Sequence, residues 1–312
     1  MRKYKVGITG ASGMLGKKIC DYFIKKGSQV SVLTRDSGKF RNHKQVEIFE
    51  VDLQNPDRNK IRDFVKNLDL LFHLASELKD ESKMIMTNYQ GTKLLADMIL
   101  GQRTLFIYTS SIGVFDFSKS KLIKENDPKG QINIYERTKF LSEKYLFKLK
   151  NENNLKFVIL RPSIILDFEM KSNIIDNFIN LNNFKIGLDI PKTVVLNFIL
   201  SKDVVSALLK LSQEKKAVGK AFNMSLNVSL RDFTSLIEKI VCKRVYYRVP
   251  QKILLILIKF KFLIAGRRNG NSLKAFFSNV SKVSSEKLEN LINIKNDENY
   301  FEFLKSYTEK KR

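Results

Sequence analysis

The chain has 312 residues, and its 56 Lys and Arg against 32 Asp and Glu leave a formal charge of +24. At 43% hydrophobic and 28% charged it has the makeup of a folded protein with one large domain or two smaller ones, which excludes a disordered or collagen-like chain. Two Cys (Cys20, Cys242) and two His (His43, His73) are too few for a disulfide framework or a soft-ligand metal centre, so no metal is expected. Residues 4–9 (YKVGIT) read as a strand that runs straight into glycines, and 16–25 as a helix. Further strands are predicted at 29–34, 46–51, 68–73, 104–110 and 156–160, with helices at 88–100 and 135–150. Strands alternating with helices of about 10 to 15 residues imply crossover units. The expected fold class is therefore α/β, a Rossmann-type doubly wound parallel sheet with a smaller, helix-rich C-terminal substrate domain. After Arg161 the alternation loosens and the chain becomes more basic.

The expected boundaries are 1–165 plus about 196–224 for the dinucleotide-binding body, and about 166–195 plus 225–312 for the substrate domain. No apolar leader precedes the glycines. The longest apolar stretch, 253–264, is interrupted by Lys259 and Lys261 and falls short of the roughly 18 residues a bilayer span needs. A cytoplasmic protein is expected. Residues 243–274 carry Lys and Arg with no Asp or Glu. The apolar part of that stretch reads mainly as a core-facing helix. Peripheral membrane contact through 249–268 is the alternative.

Gly10, Ala11, Ser12, Gly13, Met14, Leu15 and Gly16 form a GxxGxxG loop between the first strand and the first helix. Glycines there permit the tight turn and the close approach of a pyrophosphate, which then meets a helix N-terminus. The second strand ends Leu33-Thr34-Arg35-Asp36. An Arg at that place accommodates a 2′-phosphate, so NADP is expected over NAD. Tyr135 and Lys139 stand i and i+4 on the long helix and so share one face. A phenol beside a cation shifts toward the useful range for acid/base work. Ser111 follows the fifth strand, at the carboxyl edge of the sheet, where ligands bind in such folds.

These residues resemble the extended short-chain dehydrogenase/reductase superfamily, in its NAD-dependent epimerase/dehydratase branch. The matching segments are TGASGMLG (9–16), Asp52-Leu53, FHLAS (72–76), Asn88 with Gly91-Thr92, and YTSSIGVF (108–115). They continue with YERTK (135–139), Glu143, LRPSII (160–165) and Asp203-Val204-Val205. The resemblance runs from residue 3 to about 225. It implies Ser111 as the hydrogen-bond partner of a substrate oxygen, Tyr135 as acid/base, and Lys139 as holder of the nicotinamide ribose that lowers the pKa of Tyr135. It also implies cofactor contacts from Gly10, Ser12, Gly13, Met14, Leu15, Gly16 and Arg35. Asp52, Leu53, Leu74, Ala75, Ser76, Thr109 and Pro162 complete the expected cofactor set, together with Tyr135 and Lys139.

The chain departs from the family pattern at Asp116, after Val114-Phe115, and around Asp167; both departures are expected on the substrate side. Ser111-Ile112-Gly113 lacks the acidic pair of a 4,6-dehydratase. The implied reaction is hydride transfer to or from a ring carbon of a nucleotide-activated sugar, for surface-polysaccharide synthesis, by a homodimer. An alternative is a ketone reductase or 3-beta-hydroxysteroid dehydrogenase-like enzyme with an apolar substrate. A non-catalytic dinucleotide- or RNA-binding protein is the alternative from another class. No RNA-binding module or aromatic-interleaved basic motif is visible, so no nucleic-acid partner is expected.

Overall fold

The computed structural model describes residues 3–40, 45–168, 173–241, 247–250, 252–253, 279–294 and 300–310. The first half of the chain builds a parallel sheet from β1 (Lys5–Thr9), β2 (Gln29–Thr34), β3 (Val46–Glu50), β4 (Leu70–His73) and β5 (Leu105–Thr109). Farther along, β7 (Phe157–Pro162) and β11 (Lys220–Met224) extend it, past the short strand β6 (Leu122–Ile123). The seven strands lie in the order β11-β7-β5-β4-β1-β2-β3. Strand order reverses between β1 and β4, so a crevice opens at the carboxyl ends where the two halves diverge.

Period-two alternation explains why this sheet is buried on both faces. Val6, Ile8, Val32, Phe72 and Ile107 pack on one side with α1 (Met14–Lys25) and α7 (Ser201–Leu211). Leu71, Phe106 and Tyr108, their immediate neighbours, face the other core with α2 (Arg58–Val65), α4 (Gly91–Met98) and α5 (Ile134–Asn153). The α2 helix was not anticipated, because its segment is mostly polar. Its signals are present on inspection: Asp57 accepts from the backbone of Asn59 and Lys60, and Ile61, Phe64 and Val65 share a buried face. The helix expected at 88–100 belongs to a longer run, α3 (Glu81–Met84), a π-turn over Ile85–Gln90, and α4.

A smaller unit follows. Here β8 (Ile164–Leu166), β10 (Val195–Leu200) and β12 (Leu226–Ser229) form a second sheet. It packs with α6 (Asn173–Asn183), α8 (Leu230–Val241) and the helix Tyr300–Glu309. β9 (Ile186–Asp189) pairs with β13 (Tyr247–Pro250), and β14 (Lys282–Val283) pairs with β6. Strand β10 contributes to both cores, Ile199 facing the main sheet. Leu196, Phe198 and Leu200 belong to the smaller core. Leu288 and Ile294, expected in the substrate domain, join the core of the main sheet.

No helix among the described residues is long and apolar enough to cross a membrane. Among the same residues no group of three or more His, Cys, Asp or Glu could hold a metal ion. The basic stretch 243–274 and the apolar segment 249–268 lie outside the described residues except for 247–250 and 252–253. Cys242 and His43 also lie outside them.

One ion pair fixes α5 to the sheet. Arg161 on β7 meets Glu143 through two hydrogen bonds of 2.9 and 2.7 Å, with side chains only 3% and 4% exposed. The guanidinium also donates to the Glu125 carbonyl at 3.2 Å. Removing one member of such a pair strands a buried charge, which costs about 3–5 kcal/mol. Glu143→Ala should therefore lose that much in a chemical denaturation, and Glu143→Gln, which keeps an acceptor, clearly less. Equal small losses in both variants would show that the pair contributes little.

Candidate active site

The glycine loop leaves β1 at Thr9 and enters α1 at Met14. Gly10 adopts φ +71°, the left-handed region that a side chain disfavours. A Cβ on Gly16 would stand 2.2 Å from the Gly10 carbonyl oxygen and 2.6 Å from Ala11 Cα. The first turn of α1 has no side-chain cap and no acidic residue, so its N–H groups and positive end are available to an anion.

Above the carboxyl ends of the strands lies a cavity of about 800 Å³. The residues expected to be catalytic or to contact the cofactor all line it. The loop contributes Gly10, Ser12, Gly13, Met14, Leu15 and Gly16; Arg35 follows β2, and Asp52 and Leu53 follow β3. Leu74, Ala75 and Ser76 follow β4, Thr109 ends β5 with Ser111 just beyond, and Pro162 ends β7. Tyr135 and Lys139 reach the same space from α5. Sequence reasoning missed Glu77 and Thr87, which also line it, and gave no role to Ser110, Glu136 and Ser163, which do so from the matched segments; Asn197 lines it as well. Asp116 and Asp167 do not, which corrects their expected place beside the substrate. Asp116 accepts from the Ser118 backbone and hydroxyl on the surface. Asp167 is buried and bonded to Lys18 of α1 and Ser201 of α7.

Helix α5 opens with a reciprocal cap. Asn133 accepts from the Glu136 amide at 2.9 Å, and Glu136 Oε2 accepts from the Ile132 amide at 2.7 Å. That cap fixes where Tyr135 and Lys139 emerge. Lys139 Nζ donates to the Thr109 carbonyl at 2.8 Å and lies 5.7 Å from the centre of the Tyr135 ring. Ser111 Oγ accepts from Gly113 N at 3.1 Å, which leaves its O–H free to donate into the cavity.

Burial dominates the electrostatics of this trio. It pushes Tyr135 up to about 12, with Glu136 adding to the rise. It pushes Lys139 down to about 7, against the pull of Glu143. The expected lowering of Tyr135 by Lys139 is thus opposed in sign by desolvation, which disfavours both charged forms. Beneath them, His73 lies 2.7 Å from Thr9 Oγ1 through Nδ1 and 2.8 Å from Thr92 Oγ1 through Nε2. Burial first, then the Lys139 charge, push it down to about 3, so it stays neutral and ties β1, β4 and α4 together.

The residues fit a dinucleotide on two independent grounds. Side chains at Gly10 or Gly16 would fill the cradle. Ser76, Thr87, Thr109 and Ser110 bring to the wall buried hydroxyls that have no hydrogen-bond partner among the described residues, and such groups are rare unless a ligand satisfies them.

The family model described as the NAD dependent epimerase/dehydratase family matches residues 6–225, and the chain belongs to that family. It is 26% identical over 196 residues to the sterol-4-alpha-carboxylate 3-dehydrogenase, decarboxylating, of Dictyostelium discoideum, covering 57% of this chain and 58% of that protein. It is 28% identical over 174 residues to the 2-alkyl-3-oxoalkanoate reductase of Shewanella oneidensis, covering 51% and 44%. The chain spans about half the length of the curated relatives it matches. Among solved structures, the UDP-glucuronic acid 4-epimerase of Bacillus cereus in complex with NAD superposes with a TM-score of 0.75. That likeness covers 97% of each chain at 17% identity and is one of fold.

Proposed function

We propose that this chain is a nicotinamide-dependent oxidoreductase that moves a hydride to or from a carbon bearing an oxygen. The observation that carries this reading is the convergence of Ser111, Tyr135 and Lys139 on the cavity that the glycine loop opens. A nicotinamide dinucleotide, when bound, supplies or takes up the hydride. The loop and the N-terminus of α1 would hold its pyrophosphate, Asp52 and Leu53 the adenine end, and Lys139 the nicotinamide ribose. Ser111 donates its O–H to the substrate oxygen. In the reducing direction Tyr135, a neutral phenol, gives its proton to that oxygen as the alcohol forms, and solvent replaces the proton. In the oxidising direction Tyr135 first gives its proton to solvent, and the phenolate then takes the proton of the alcohol as the carbonyl forms. Arg35 offers a cation to a 2′-phosphate and Glu77 opposes it, so the reading includes NADP and NAD.

Two substrate classes suit this reaction. A nucleotide-activated sugar, turned over for polysaccharide synthesis, is the reading the sequence resemblance favours; it would make the enzyme an epimerase or a sugar reductase. A ketone or secondary alcohol with an apolar body is favoured by the wall itself. Beyond Ser111 the cavity is lined by Ile112, Phe117, Ile132, Ile164, Ile165 and Leu196. The apolar part of the wall supports the ketone reading, and Ser163, Asn197 and Asn279, which line the same cavity, offer polar groups to a sugar. A homodimer in the cytoplasm accompanies either reading and is checked by sedimentation.

The deciding experiment offers the full chain NADH and NADPH with UDP-glucose, UDP-N-acetylglucosamine and a 3-ketosteroid. Loss of reduced nicotinamide with the steroid is the expected result. Epimerisation of a sugar without net consumption of cofactor would move the enzyme to the sugar class. Inertness toward every probe, with dinucleotide bound, would point to a non-catalytic role.

A further inference from the structure

We infer that Glu77 sets the choice between the two nicotinamide dinucleotides, by holding Arg35 and by fixing a negative charge where a 2′-phosphate would meet that arginine. The inference rests on the dinucleotide reading of the cavity. Arg35 follows the last residue of β2, and an arginine there is the usual partner of a 2′-phosphate. Its side chain is 65% exposed, so it is free to swing. The anion it pairs with lies in the loop after β4. Glu77 Oε2 stands 3.6 Å from Arg35 Nη1.

Glu77 itself cannot move away easily. Its Oε1 accepts from the amides of Leu78, Lys79 and Asp80 at 3.0, 2.9 and 3.3 Å. Its own backbone is held on both sides by buried Asn88, which accepts from the Glu77 amide at 2.6 Å and donates to the Glu77 carbonyl at 3.0 Å. Those amides, chiefly Lys79, and then Arg35 hold its carboxyl below the usual carboxylate range. Those contacts favour the charged carboxylate. The other acids nearby are turned elsewhere: Asp36 accepts from Gly38 N and pairs with Lys39, and Asp52 accepts from Gln54 N.

A phosphate gripped by Arg35 must therefore either displace Glu77 or bring like charges together across a few ångströms. A ribose hydroxyl meets no such opposition, because a carboxylate is an acceptor for it. The arginine that suggests NADP from the sequence is neutralised by a residue the sequence places far along the chain.

The test titrates the full chain with NADH and NADPH by nicotinamide fluorescence at one ionic strength, alongside a thermal melt. Wild type should bind NADH at least as tightly as NADPH. Glu77→Gln should tighten NADPH about fivefold to tenfold while NADH changes less than twofold, and Arg35→Ala added to it should erase the gain. Glu77→Asp, which withdraws the charge but keeps it, should give part of the shift and guards against a collapsed loop in the Gln variant. A NADPH-to-NADH ratio that stays within twofold of wild type in both variants overturns the inference and leaves the dinucleotide reading standing. A wild type that prefers NADPH more than tenfold also overturns it. Binding of neither dinucleotide by wild type overturns both.

Discussion

Tyr135→Phe should lower turnover by about 10²–10⁴-fold, the contribution of a positioned general acid or base, while dinucleotide affinity and the melting temperature stay near wild type. The substitution removes one hydroxyl and leaves the ring, which is half-buried at the start of α5 and stands 5.7 Å from Lys139 Nζ. That hydroxyl forms no hydrogen bond with another of the described residues, so its loss breaks none of their contacts. The pH dependence separates the roles further. Burial holds Tyr135 near 12, so the phenol is protonated throughout the working range and contributes no neutral limb. Lys139 is held near 7, so its positive charge is present below that pH and fades above it. Because that charge favours the developing alkoxide, kcat/KM for reduction should fall as pH rises through about 7. In Lys139→Met the neutral limb should vanish. A Tyr135→Phe enzyme that retains a tenth of its turnover would remove Tyr135 from the chemistry.

What the sequence discloses of this site follows from how local each signal is. The glycine loop is legible because strand, turn and helix are contiguous and the geometry is imposed within one turn. Tyr135 and Lys139 are legible because i and i+4 share a helix face. Ser111 is legible one step less directly, through the rule that a parallel sheet gathers its functional residues at strand ends. Contacts that cross between crossover units carry no such signal. Nothing in the sequence pairs Arg35 with Glu77, or brings Lys18 and Ser201 to Asp167, since each meeting depends on how the helices wrap the sheet. The raised pKa of Tyr135 is likewise invisible, because it is set by the depth of the cavity and not by the spacing of the cation. Asp167 is instructive. As a departure from a pattern it suggested the substrate, yet its buried bonds to α1 and α7 give it a place in the frame.

Gly16→Ala should weaken dinucleotide binding by about 100-fold, with a stability loss of about 1–3 kcal/mol as for other overpacked sites. The reason lies in what the methyl would meet. Its Cβ falls 2.2 Å from the Gly10 oxygen and 2.6 Å from Ala11 Cα, both backbone, so no flexible side chain can yield. Gly10 is itself a tight position: its φ is +71°, and a Cβ there would lie 2.7 Å from the Ala75 amide nitrogen. The strain must therefore push α1 from the loop, and the pyrophosphate cradle is the gap that opens. Gly13 offers the internal comparison. A Cβ there is 3.2 Å from the same Gly10 oxygen, a contact that a shift of a few tenths of an ångström relieves. Gly13→Ala should accordingly bind far better than Gly16→Ala. Fluorescence titration of the two variants, with melting curves to confirm that each is folded, decides the point. Equal affinities would mean that the dinucleotide is held by something other than the close approach of loop and helix.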